Sequence, residues 1–172
     1  MKKQKNTKSP ESTLCSALGT ILLILLIIIC IPLTVPRAMG YQLYTVITGS
    51  MEPNVPVGSL VFVKDIDPVE VQEKDVIAFY GGKDSNAIIT HRVVDYREFM
   101  GEFITKGDAN AENDMNPVEY DNLIGRVELS VPKIGILAQY ATSMEGKITA
   151  VAIIGVALVL NILGSVLDRT KK

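Results

Sequence analysis

Cysteine is nearly absent from this chain of 172 residues; Cys15 and Cys30 are its two, both inside one apolar run. No disulfide framework can hold the remainder, which has to be stabilised by its own core. Histidine is scarcer still, with His91 alone. That scarcity excludes a His/Cys metal cluster of the usual kind, so no metal site and no cofactor are expected. Positive charge is short in the middle of the chain, where residues 36–147 carry 10 Lys/Arg against 17 Asp/Glu, a net of −7. An acidic segment of this kind speaks against nucleic acid as a partner, because that binding needs a basic surface. Internal repeats and low-complexity segments are lacking too.

Charge of either sign is missing from two long stretches. "LCSALGTILLILLIIICIPLTV" (14–35) has 22 residues, which at about 1.5 Å each give roughly 33 Å, enough to cross a hydrocarbon core. "ITAVAIIGVALVLNILGSVL" (148–167) has 20 residues, with Asn161 its one strongly polar side chain and a candidate for a hydrogen bond to a neighbouring helix. Lys2, Lys3, Lys5 and Lys8 precede the first run, and Arg169, Lys171 and Lys172 follow the second. The positive-inside rule then puts both termini in the cytoplasm and the segment between the runs on the other side of the membrane. The basic start and the small residues at 38–40 would also suit a cleaved leader. The apolar core, however, far exceeds the roughly 7–15 residues such leaders carry, so an uncleaved anchor is expected. The expected layout is a cytoplasmic tail (1–13), a first transmembrane helix (14–35), an extracytoplasmic domain (36–147), a second transmembrane helix (148–167) and a short cytoplasmic tail (168–172). The lipid bilayer is thereby an expected partner.

Between the runs, short β-branched stretches alternate with turn signals. "YQLYTVIT" (41–48), "SLVFVKDI" (59–66), "KDVIAFYGG" (74–82), "AIITHRVVDYRE" (87–98) and "GEFITKGD" (101–108) read as strands, the last two joined by a tight turn at Met100-Gly101. Residues 109–121 read as a loop, residues 122–137 as a closing strand, and 138–144 as a short amphipathic helix. Six or so strands in about 110 residues predict an all-β domain, a sandwich or partly closed barrel, flanked by two transmembrane α-helices.

"ITGSMEPNVP" (47–56) sets Ser50 between Gly49 and Met51, with Pro53 and Pro56 close behind. Gly, Ser and Pro dominate ordinary turns, but the prolines also stiffen the chain around one hydroxyl. His91 stands in the otherwise apolar strand "THRVVDY", where a satisfied core histidine is the bland reading. The acidic loop "KGDANAENDMNP" holds Asp108 and Asp114; it lacks the alternation and the glycine of a calcium loop. Ser50, His91 and Asp114 together form a possible nucleophile, general base and orienting carboxylate. A serine hydroxyl needs a neighbouring base, and an imidazole near pKa 6.5 suits that task at neutral pH.

"GSMEP", "THRVVD", "TKGDANAEND" and "LIGRV", in that order, resemble the motif boxes of type I signal peptidases, over roughly residues 45–135. These are membrane-anchored serine endopeptidases that remove N-terminal signal peptides from exported preproteins, cutting after small residues at the outer face of the membrane. With His91 in the second box, where the common bacterial branch has a lysine, the chain resembles the endoplasmic-reticulum and archaeal (Ser-His-Asp) branch, shared by a minority of Gram-positive enzymes. Neither Lys64 nor Lys106 falls where a base lysine would be needed. The resemblance implies a signal-peptidase-like β fold, Ser50 as nucleophile and His91 as base. Asp114 is the favoured third member, with Asp108 the other candidate or a support for the site. It also implies Thr48 beside the Ser50 N–H at the oxyanion, Met51 in the substrate cleft and Pro53 shaping the loop. Side chains near Ile47, Ile66 and Ile88 are candidates to line the pockets. Implied partners are signal-peptide-bearing preproteins, with accessory membrane subunits left open. Short connections favour a prokaryotic plasma membrane over the endoplasmic reticulum. The competing readings are a catalytically idle relative that binds export clients or scaffolds a membrane complex, and a self-cleaving regulator on a related scaffold.

Overall fold

The computed structural model describes residues 10–82 and 86–170. Lys2, Lys3, Lys5, Lys8, Lys171, Lys172 and the Arg169 side chain, on which the orientation rests, lie outside that description. The chain divides into two units, one of residues 1–32 with 140–172 and one of residues 33–139.

The first unit is helical. Helix α1 (Pro10–Ala38) and helix α3 (Met144–Thr170) are both long and apolar enough to cross a membrane. Leu14, Ile21, Leu25 and Ile28 on α1, and Val151, Leu158 and Ile162 on α3, stay exposed, as lipid-facing side chains do when the solvent is hydrocarbon. Small and polar residues let the two helices approach. A Cβ on Gly19 would sit 2.7 Å from the Ala157 carbonyl oxygen, and one on Gly164 would sit 2.8 Å from that of Ser12. Asn161 donates to the Ala157 carbonyl of its own helix at 2.9 Å, and its Oδ1 faces the Thr20 hydroxyl of α1 at 3.5 Å, while that hydroxyl donates to the Ser16 carbonyl at 2.8 Å.

The second unit is a curled antiparallel sheet. Strands β1 (Tyr41–Thr45), β2 (Leu60–Lys64), β3 (Val76–Tyr80), β4 (Ile88–Arg97), β5 (Glu102–Lys106), β6 (Val118–Glu119) and β7 (Leu123–Val131) lie in the order β1-β2-β7-β3-β4-β5-β6. Register shifts at Phe62/Val63, Ala78/Phe79 and Val93/Asp95 bend the strands, as extra residues in a ladder do. The β2 side chains are buried on both faces up to Val63. Met51, Val55, Val61, Val63, Ala78 and Ile124 form one core cluster, and Ile77, Phe79, Val93, Phe103 and Val118 belong to a second.

Both long helices extend past the spans read from the sequence, to Pro10–Ala38 and Met144–Thr170, and the end of the sheet differs as well. The last strand stops at Val131 rather than continuing to 137, because Pro132 has no N–H to donate and Lys133 has a φ of 68°. Helix α2 (Gly135–Thr142) accordingly begins earlier than 138. The two-residue β6, paired to β5 through Phe103↔Val118, lies inside the segment read as loop.

Candidate active site

Ser50 sits in the turn that follows β1. The Met51 carbonyl accepts from Val55 N–H at 2.8 Å and the Gly49 carbonyl accepts from Glu52 N–H at 3.1 Å, so the segment is self-braced. The Glu52–Pro53 peptide is cis. Gly49 has no positive φ, so its place does not depend on a left-handed backbone. Met51 is 1% exposed; it anchors the turn in the first core cluster.

His91 lies in the middle of β4 and is buried, its ring edge-on to Phe79 at 6.3 Å between centroids. In the β4–β5 ladder Val93 stands opposite Thr105. Alternation places His91 two residues along on the same face as Thr105, so the two are diagonal neighbours. Asp114 comes in between them. Its Oδ2 is 2.6 Å from His91 Nδ1 and accepts from the Thr105 hydroxyl at 2.6 Å. A carboxylate accepts only, so Nδ1 carries the proton of this bond and Nε2 is the ring nitrogen left for another partner.

Asp108 has other company. Arg92 grips both of its oxygens, Nε to Oδ1 at 2.8 Å and Nη2 to Oδ2 at 2.7 Å, and the Asn54 amide donates to Oδ2 at 2.8 Å. Arg92 also donates to the Lys74 carbonyl at 2.7 Å. Hydrogen bonding to Arg92 holds the Asp108 carboxyl below its usual range, against the upward push of burial, and raises the guanidinium in return. The loop that carries both aspartates also touches the serine directly. Ala109 N–H donates to the Ser50 carbonyl at 2.9 Å, and a Cβ on Gly107 would stand 2.6 Å from that oxygen.

A cleft of about 680 Å³ joins these parts, with Thr48, Ser50 and Met51 on one wall and Ile88, Thr90 and His91 on the other. Thr48 and Ser50 hydroxyls are 3.5 Å apart. Ile47 and Ile88 line the cleft, but Ile66 does not; it packs against the second core cluster. Pro53 is exposed and outside the lining. Among the described residues no group of three or more His, Cys, Asp and Glu could hold a metal ion. Sequence reasoning missed the parts played by Arg92, Asn54, Gly107 and Thr105. Thr105 had a visible signal, a hydroxyl at the alternate position to Phe103, where an apolar side chain is the default.

A serine and a carboxylate-bound imidazole at one cleft are the parts of a serine hydrolase. The family described as signal peptidase, peptidase S26, matches residues 17–96. Signal peptidase I W of Bacillus subtilis is 46% identical over 92 residues, covering 51% of this chain and 47% of that protein. The putative signal peptidase complex catalytic subunit SEC11B of Homo sapiens is 35% identical over 102 residues, covering 52% and 60%. The signal peptidase complex catalytic subunit SEC11 of Pyricularia oryzae is 30% identical over 127 residues, covering 67% of this chain and 73% of its own length. The chain belongs to the signal peptidase family, peptidase S26. It spans about half the length of the bacterial relative.

Proposed function

We propose that this protein is a membrane-anchored serine endopeptidase that removes N-terminal signal peptides from exported preproteins. The observation that carries the reading is the 2.6 Å bond between His91 Nδ1 and Asp114, made at the cleft that Ser50 shares. With Nδ1 occupied by Asp114, Nε2 of His91 is the base that takes the Ser50 proton as the hydroxyl oxygen attacks the scissile carbonyl. Asp114 stabilises the imidazolium that forms, and His91 then delivers the proton to the departing amine. The oxyanion is held by the Ser50 backbone N–H and the Thr48 hydroxyl, donors of the kind that contribute a few kcal/mol in the transition state.

The cleft runs between residues 44–48, which lead out of β1, and residues 86–91, which lead into β4. An extended substrate laid between them gains backbone hydrogen bonds, while Ile47 and Ile88 narrow the space for side chains. That favours small residues before the cut. The two long apolar helices hold the domain at the bilayer, the catalytic unit facing away from the cytoplasm, where signal peptides present their cleavage sites. The names of the complex subunits among the relatives make accessory membrane subunits a reasonable partner class.

The test uses the full chain in detergent with a secretory precursor bearing small residues before its cleavage site, read by product size and N-terminal sequencing. Cleavage at that bond, reduced at least about 10⁴-fold by Ser50→Ala, is the expected result. An intact precursor with folded wild type, or cleavage that survives Ser50→Ala, contradicts the reading.

A further inference from the structure

Thr105 is fully buried in β5, at a strand position where an apolar side chain is the default. It binds Asp114 twice. Its carbonyl accepts the Asp114 N–H at 2.8 Å, and its hydroxyl donates to Asp114 Oδ2 at 2.6 Å, the oxygen that also faces His91. The backbone bond closes the loop; the hydroxyl bond aims the carboxylate. Without it Asp114 Oδ2 would keep a single partner and could swing about its side-chain torsions.

We propose that Thr105 is the positioning residue of the site, its hydroxyl fixing Asp114 Oδ2 where it holds the His91 ring in one orientation and one tautomer. The assignment rests on the serine peptidase reading above for its effect on rate, but its effect on the imidazole stands on geometry alone. A hydroxyl donated to the carboxylate also spreads its negative charge. Removing the donor leaves a more concentrated charge beside the ring, which favours the imidazolium. The charged groups bearing on His91 are Asp114 and, at longer range, Asp108, which Arg92 neutralises. Substitution at Thr105 leaves both carboxylates and Arg92 in place.

The experiment compares Thr105→Val, which keeps the shape and loses the hydroxyl, with Thr105→Ser, which keeps the hydroxyl. Because His91 is the chain's one histidine, its ring is followed directly by NMR in the full chain in micelles, alongside precursor cleavage. The expected result is a kcat about tenfold lower for Thr105→Val with KM unchanged. The His91 titration and the acid limb of the rate profile should both move about half a pH unit upward, with near wild-type behaviour for Thr105→Ser. Should Thr105→Val fail to fold, the pair Thr105→Ser and Thr105→Ala repeats the hydroxyl deletion without the methyl group. Equal losses for the variants with and without the hydroxyl, or a rate loss with an unmoved His91 titration, overturn the positioning role. Wild type that leaves the precursor intact while the titration still moves overturns the peptidase reading and keeps the geometry.

Discussion

Asp108 and Asp114 lie six residues apart on one loop, and their surroundings have almost nothing in common. Asp114 meets an imidazole and a hydroxyl, partners that let its charge act on His91. Asp108 meets a guanidinium that engages both of its oxygens and an amide that takes one again. A carboxylate already neutralised by a bidentate cation has little field left for a neighbour. The two ends of the loop thus hold different parts: one binds the imidazole at Nδ1, and the other ties the serine turn, through Asn54, to β4, through Arg92.

The comparison breaks most sharply at Asp114. Asp114→Asn turns an acceptor into a side chain that can donate to Nδ1, favours the wrong tautomer, and should lower kcat by about 10³–10⁴-fold in the precursor assay. Loss below tenfold would remove Asp114 from the mechanism. Gly107→Ala acts on the stretch between the two ends. Its Cβ would stand 2.6 Å from the Ser50 carbonyl oxygen, against backbone that cannot turn aside as a side chain would. A shift of the serine turn by a fraction of an ångström should cost about 10²-fold in kcat, and unchanged kinetics would show that the loop does not set the nucleophile.

Asp108→Asn should affect activity least, less than about tenfold, and show itself in stability. The folded-state pKa of Asp108 lies below its reference value of 3.8, so the fold favours the ionised form. Its contribution is complete above about pH 4 and fades as pH falls through the lower folded value. At pH 7 the variant should lose about 1–2 kcal/mol in denaturant unfolding of the full chain, and the gap to wild type should narrow toward about pH 2. A gap that widens on acidification would mean Asp108 is not held ionised by Arg92.

Much of this was legible in the residues, and what was not has physical causes. The two apolar runs show directly as helices, since nothing but length and apolarity decides them; α1 nonetheless reaches from Pro10 to Ala38, because a helix continues into polar sequence once started. The strands through Arg97 were marked by short apolar runs rich in β-branched residues between turn signals. β6 was not, because two residues are too short to show a period, and its pairing is set by β5. The end of β7 was signalled by Pro132 but overridden by the apolar residues beyond it, which belong to α2. Ser50 and His91 could be picked out by type and motif. Asp114 was favoured over Asp108 on the motif alone; the physical difference, which of His91 and Arg92, adjacent on β4, each carboxylate reaches, is not written in residue types. Thr105 was passed over because a single hydroxyl in a strand looks like any other threonine until its partner is known.

The most direct measurement sets Asp114→Asn beside Asp108→Asn in the same cleavage assay, at pH 7 and with both proteins shown to be folded. The expected outcome is a kcat lower by at least about 10³-fold for the first and by less than about tenfold for the second. The reverse order, or equal losses, would contradict the division of labour between the two carboxylates.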